Sequence, residues 1–395
     1  MQQKLWTKDF LFFFGSNFFI GLNFYLLMTT MTLYAMQQFS ASESLAGLAS
    51  SIFVIGALIA RLLVGGTVEK FGRKKLLYSG LLLFIVAVFM YFFTSSIILL
   101  FIVRFMNGVA FGIASTAMNT TVMDSLPIDR RGEGTGYFSL SSTVATAIGP
   151  FLGIWLMNHY DMQIIFVFAS VMSVAALLFA LIATVKEADL TPEQRKAIQF
   201  SLKPDRLFAI EALPLAALTM VMGIGYSSIA SFINVYAIEI NLITAATYFF
   251  IVYAAFLFFS RPIAGKILDA KGDNIVIYPA IVLFALSLLC MSFASNGFML
   301  LLAGALAAMG FGTYMSSVQA ICAKIAPRHK MGLAISTFFV GLDFGVGVGP
   351  FLLGSIIPVV GYRQLYLILS LLVLCMLVVY YFIHGRTPAA KKLHV

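Results

Sequence analysis

Two ionisable residues stand isolated within long apolar runs of this 395-residue chain: Asp343 and Arg104. A charge near the middle of a bilayer costs roughly 2.5–3.5 kcal/mol even on the mild insertion scale, so each must face a cavity or a partner. Burial raises a carboxyl pKa toward neutrality, which suits Asp343 to load and release a proton. A structural ion pair, or a carboxylate that touches a ligand without titrating, are the alternatives. A second group gathers at the ends of apolar runs: Arg61, Glu69, Gly72, Arg73 and Asp124, echoed by Asp269. Arg61 and Glu69 lie eight residues apart, just over two helical turns, and so share one helix face. Asp124 closes a later run at the same depth. On spacing alone these charges form a surface ion-pair network.

The elements that must position these residues are transmembrane helices. The chain is 61% hydrophobic and 10% charged, against roughly 25% charged for a typical soluble domain, so it cannot clothe a water-facing surface. Polar punctuation separates twelve apolar segments, near 9–36, 43–66, 76–95, 97–123, 134–157, 162–185, 208–238, 243–267, 275–294, 297–324, 331–357 and 362–383. Each is long enough to cross a hydrocarbon core of about 30 Å as a helix. The first is too long for a signal-peptide core. Of the 25 Lys and Arg, 21 fall in the tails and even-numbered loops and only Arg363 in an odd-numbered one, which predicts that both termini are cytoplasmic. The net charge of +9 is scattered through short loops rather than gathered on one surface, which excludes a nucleic-acid partner. Cys290, Cys322 and Cys375 lack metal or redox spacing and read as small buried hydrophobes.

The longest polar stretch, residues 186–207, divides the chain into bundles at 1–185 and 208–395. Thr191, Pro192 and Gln194 within it predict a short surface helix. The halves repeat at an offset of 200 residues. Arg61, Gly65, Glu69 and Gly72 match Arg261, Gly265, Asp269 and Gly272, while Phe111-Gly112 matches Phe311-Gly312. Pro127 and Gly132 match Pro327 and Gly332, and Gly149-Pro150-Phe151-Leu152 matches Gly349-Pro350-Phe351-Leu352. Repeated bundles are a common construction in secondary transporters. The prolines at 150 and 350 each remove a helical hydrogen bond and permit a bend, and small residues at spacing four let a second helix approach. Asp343 and Arg104 have Thr143 and Gly304 at the equivalent positions, so the shared scaffold requires neither charge.

The loop GGTVEKFGRKK, residues 65–75, resembles the Gly-x-x-x-Asp-x-x-Gly-Arg-Lys loop of the major facilitator superfamily, with Glu69 in place of Asp. The resemblance continues in Arg104-Phe105-Met106-Asn107-Gly108, where Asn107 stands for the family's Gln. It extends to residues 145–153, similar to the proline-containing fifth-helix signature of proton-driven antiporters, from which Ala145 and Ile154 depart. The resemblance implies an all-α membrane protein with twelve transmembrane helices in two pseudo-symmetric six-helix bundles. It implies that the charges at 61, 69, 73, 124 and 269 latch a cytoplasmic gate, that Gly149-Pro150 and Gly349-Pro350 bias the direction of transport, and that Arg104 serves the proton pathway or an anionic substrate group. It also implies a cavity lined by helices one, four, seven and ten. Candidates on these are Asn17, Asn23, Tyr25, Asn107, Asn119, Tyr226, Asn234, Tyr236, Tyr314 and Gln319, although each could equally satisfy a neighbouring helix.

The only Gly-Lys pair, Gly265-Lys266, lacks phosphate-loop spacing, so no nucleotide site is expected and the energy must come from a gradient. One proton crossing about 150 mV is worth roughly 3.5 kcal/mol, or about a few-hundred-fold accumulation of a neutral solute. The expectation is a monomeric proton-coupled antiporter that exports amphipathic small molecules by alternating access from a bacterial inner membrane, without metal or cofactor. A proton symporter, or an exporter of one metabolite such as a sugar, organic anion or metallophore, is the alternative within transport. A lipid enzyme is the alternative outside it, but His159, His329, His384 and His394 lie at loops or ends, and no catalytic cluster converges at the midplane.

Overall fold

A computed structural model gives the fold for residues 5–41, 43–188, 207–387 and 390. The expected surface helix at 191–194 lies outside these residues, and so does the side chain of Asn234. Among the described residues there is no strand. The helices are α1 (Lys8–Phe39), α2 (Glu43–Gly65), α3 (Arg73–Phe89), α4 (Ile97–Ser125), α5 (Arg131–His159), α6 (Met162–Ile182), α7 (Leu213–Glu239), α8 (Ile243–Lys271) and α9 (Asn274–Ser292). Then comes α10 (Gly297–Ile325), and the continuous run Met331–Tyr380 is broken at Gly361, φ 75°, into α11 (331–360) and α12 (362–380). Eleven helical segments among the described residues are long and apolar enough to span a bilayer. The twelfth, α2, has 23 residues and so reaches about 34 Å.

The chemistry of the chain explains where the helices stop. Thr7 caps α1 by accepting a hydrogen bond from the Phe10 amide at 3.2 Å. Both repeated loops turn at glycines with positive φ, Gly72 at 93° and Gly272 at 91°, a region that a Cβ disfavours. Outward-facing Phe93, Ile98, Phe259, Phe298 and Val359 are exposed, an apolar surface that suits hydrocarbon rather than water. Of the three cysteines only Cys322 is buried; Cys290 is partly exposed and Cys375 exposed. The expectation of burial fails for Cys375 because α12 turns that face outward, where lipid serves a thiol as well as a core does.

The chain divides into two compact units. Unit 1 comprises Met1–Ser125, Ser141–Ala209 and Pro327–Thr337; unit 2 comprises Leu126–Leu140, Ile210–Ala326 and Phe338–Val395. Each unit thus includes the start of one helix from the other half of the sequence. Within unit 1, α1 and α5 run alongside each other at small residues. A Cβ on Gly21 would sit 3.2 Å from the Ala145 Cβ, and one on Gly149 would come within 2.7 Å of the Tyr25 Cβ. Unit 2 repeats the arrangement between α7 and α11: a Cβ on Gly341 or Gly345 would meet the carbonyl oxygen of Ala216 or Met220. Both α5 and the first part of the Met331–Tyr380 run continue through their prolines, Pro150 and Pro350. Small residues on α5 and α11 thus let α1 and α7 approach closely.

One feature departs from the repeat. A π-helical turn, Ala308–Gly312, interrupts α10, whereas α4 is regular at Phe111-Gly112. Gly310 lies against the Phe284 backbone of α9, and Gly312 against the Leu257 side chain of α8. The extra residue in that turn lays Phe311 flat on Tyr226 of α7, with ring centroids 4.3 Å apart and planes at 8°.

Candidate functional site

In unit 1 the repeated loop builds a buried charge cluster. Arg73, with no solvent exposure, donates to Glu69 through Nε (3.0 Å) and Nη2 (2.7 Å), and through Nη1 to Asp124 (2.7 Å). One guanidinium thus satisfies two carboxylates, which its planar fork allows and an ammonium would not. Glu187 lies beyond the end of α6 and accepts from the Arg73 and Lys74 backbone amides at 2.8 and 3.0 Å. That carboxylate caps the start of α3, where the helix dipole favours negative charge. Burial pushes the Glu69 carboxyl above its ordinary value of 4.5, and the hydrogen bonds and charge of Arg73 pull it back; burial is the larger effect. Arg61 enters from α2 with its guanidinium over the Phe111 ring at 5.6 Å, and its carbonyl oxygen accepts from Ser336 Oγ at 2.6 Å.

Unit 2 carries the matching loop with its charges exchanged. Asp269 Oδ1 accepts from the Gly132 amide (3.0 Å) and from Lys324 Nζ (2.8 Å), while Oδ2 accepts from the Glu133 amide (2.8 Å). Asp269 therefore caps the start of α5, and Lys324 neutralises it. Gly265 makes this approach possible, since a Cβ there would lie 2.3 Å from the Gly132 carbonyl oxygen. Arg261 donates to the carbonyl oxygens of Gly312 (3.1 Å) and Ser139 (2.8 Å). At position 273, where the first half has Arg73, Asp273 pairs instead with His384 Nε2 at 2.9 Å. Identity-based comparison of the halves overlooks Lys324 and Asp273, because the equivalent residues Asp124 and Arg73 carry the opposite sign. A comparison by charge reversal finds them. No sequence signal points to Glu187.

The membrane-embedded candidates are less concentrated. Arg104 is enclosed in unit 1, not directed into open space: Nε donates to the Ala49 carbonyl oxygen (2.7 Å), and the guanidinium lies 4.9 Å from the Phe53 ring. Asn107, one turn on, accepts from the Tyr91 hydroxyl at 3.3 Å. Asp343 lies part-buried in the first stretch of α11. It is two residues from both Gly341 and Gly345, and so roughly opposite the face that packs on α7.

Several polar candidates serve helix contacts. Asn17 donates to Ser141 and Ser142 of α5 (2.7 and 3.0 Å). Asn23 donates to the Ala169 carbonyl oxygen and to Ser173 of α6 (2.7 and 2.8 Å). Tyr236 donates to the Met291 carbonyl oxygen (2.6 Å), and the Tyr314 hydroxyl meets Thr219 at 3.2 Å. Asn119 donates to the Ser115 carbonyl oxygen of its own helix at 2.8 Å. Tyr25 and Tyr226 are half-buried, and Gln319 is buried.

The family model for the Major Facilitator Superfamily matches residues 13–281 and 243–394. The chain belongs to the major facilitator superfamily. It is therefore a transporter of small molecules, not an enzyme, and an integral multi-pass membrane protein. It is 24% identical over 378 residues to a staphylopine export protein of Staphylococcus aureus, covering 88% of this chain and 89% of that one. It is also 24% identical over 382 residues to the multidrug resistance protein MdtG of Escherichia fergusonii, covering 93% and 92%. An uncharacterized superfamily transporter of Methanocaldococcus jannaschii matches at 24% over 343 residues, 85% and 88% of the two chains. Among solved structures, the human organic anion transporter MFSD10 superposes with a TM-score of 0.72 at 16% identity, covering 96% of this chain and all of that one. That likeness carries the fold alone.

Proposed function

We propose that this superfamily transporter exports amphipathic small molecules by alternating access, driven by inward proton flow across a bacterial inner membrane, with both termini in the cytoplasm. The observation that carries the reading is the pair of breakable polar clusters at equivalent loops. Glu69, Arg73 and Asp124 make one; Asp269, Lys324 and the start of α5 make the other. Such clusters are bistable: joined, they satisfy each other, and parted, they are satisfied by water, so small differences in energy set the populations. The similarity to a staphylopine export protein and to a multidrug resistance protein supports the outward direction. The half-buried Tyr226, stacked on Phe311, suits an amphipathic substrate.

Asp343 carries the coupling proton in this reading, being a carboxylate in an apolar helix that the other half replaces with Thr143. The experiment is flux in liposomes under imposed pH gradients. Asp343→Asn is expected to abolish pH-driven transport while leaving substrate exchange intact. A proton dependence unchanged in that variant overturns the assignment.

A further inference from the structure

Arg104 poses a problem of charge balance that transport by itself does not answer. Its side chain has no solvent exposure, and among the described residues no carboxylate lies within ion-pair distance of it. A buried cation needs a counter-charge or a full set of acceptors. It receives one strong acceptor, the Ala49 carbonyl oxygen at 2.7 Å, one ring face, Phe53 at 4.9 Å, and one long contact, the Tyr91 hydroxyl at 3.5 Å. Its Nη2 has no hydrogen-bond partner, and neither does Nδ2 of Asn107.

These orphaned groups share a chemistry and a place. Arg104 and Asn107 are three residues apart on α4 and therefore neighbours on one helix face. The Tyr91 hydroxyl links them: its oxygen accepts from Arg104, which obliges its proton to go to Asn107 Oδ1, at 3.3 Å. That in turn leaves the Asn107 amide nitrogen pointing elsewhere with both its protons. The result is a nest of donors, guanidinium and amide, without an acceptor, two to three turns into α4. Asn107 and Tyr91 are each about 1% exposed, so whatever fills the nest is small.

From this geometry we infer that Arg104, Asn107 and Tyr91 hold a small monovalent anion of halide size inside unit 1, as a resident structural ion. Chloride meets the requirements: it accepts only, it carries one charge, and it is compact. A carboxylate satisfies the same donors but brings a carbon body that this enclosure does not suit.

The test uses the purified full-length transporter in detergent. Its melting temperature is followed while sodium gluconate is exchanged for sodium chloride or bromide at constant ionic strength. Wild type is expected to gain about 2 °C or more, saturably, with chloride and bromide but not with sulfate. Arg104→Lys and Asn107→Ala are expected to weaken the apparent affinity about tenfold or more, and Tyr91→Phe by less. Should Arg104→Lys fail to fold, the Asn107 and Tyr91 variants carry the comparison. Stabilisation by acetate without halide would assign the nest to a carboxylate and overturn the halide ion. No halide-specific gain in wild type, or an equal gain in Asn107→Ala, would overturn the site.

Discussion

Replacing Asp269 by asparagine tests the latch at its most connected atom pair. The carboxylate accepts two backbone amides and one ammonium. Asparagine keeps one oxygen and can still satisfy one of the three, but its amide opposes a second donor. A hydrogen bond to a charged group contributes about 1.5–3 kcal/mol, and losing a helix cap costs about 0.5–2 kcal/mol. Lys324 is 25% exposed, so its share is below about 1 kcal/mol after solvent screening. The cap is itself one of these hydrogen bonds, so the terms overlap rather than add, and Asp269→Asn costs about 2–3 kcal/mol, removed only from the arrangement in which the start of α5 rests on Asp269. At about 1.4 kcal/mol per decade, the population of that arrangement falls roughly 30- to 150-fold relative to one in which the contact is parted. Spin labels at Lys70→Cys and Lys271→Cys, in a background with the three native cysteines replaced by alanine, read the populations by pulsed electron resonance. Lys324→Met is expected to shift them less than about fivefold. The reasoning fails if Asp269→Asn leaves the distance distribution within twofold of the parent, or if Lys324→Met matches it.

Two further outcomes follow from the same geometry. Gly265→Ala places a methyl 2.3 Å from the Gly132 oxygen, so it should lower transport severalfold and the melting temperature with it. Gly354→Ala, with its nearest neighbour at 3.8 Å, should leave both unchanged in flux and thermal assays. The latch involving Glu69 should respond to acid. Its carboxyl is raised by burial in the latched arrangement and ordinary when exposed, so the latched form binds the proton more tightly. Protons therefore favour latching; the gain is complete below about pH 4.5 and fades as pH rises through the raised value. The same label pair should show the latched fraction growing as pH falls from 7 to 5, and Glu69→Gln should flatten that response.

How much of this was legible beforehand depends on what kind of signal each residue leaves. Gly72 and Gly272, whose positive φ makes the turns, are visible because a backbone requirement admits few residue types. Gly65 and Gly265 are visible for the same reason, as points of close approach. The polar residues of the expected cavity were legible as buried but not as to purpose. Asn23 and Tyr236 satisfy carbonyl oxygens of α6 and α9, and nothing in residue type distinguishes that role from substrate binding. Arg104 was legible as costly but not as enclosed, since its neighbours Ala49, Phe53 and Tyr91 come from other helices at distances that helical periodicity does not report. The π-helical turn at Ala308–Gly312 left only a pair of glycines around Phe311, a pattern that straight helices also contain.

The exchange of charge between the halves has a consequence for how the two clusters let go. In the first half the cation is at 73 and the acids at 69 and 124; in the second the acids are at 269 and 273 and the cation at 324. The wiring differs as well, because Asp273 turns to His384 while Lys324 serves Asp269. Arg73 occupies both of its carboxylates, and Glu69 has no other partner among the described residues. Asp269 accepts an ammonium on one oxygen and two amides at the start of α5. A guanidinium locked between two acids resists separation as a unit, whereas a cap on a helix start parts by sliding one helix end. Identical charges in both halves would have given two equal latches. The reversal makes them unequal, a guanidinium shared by two acids in one half and a helix cap in the other.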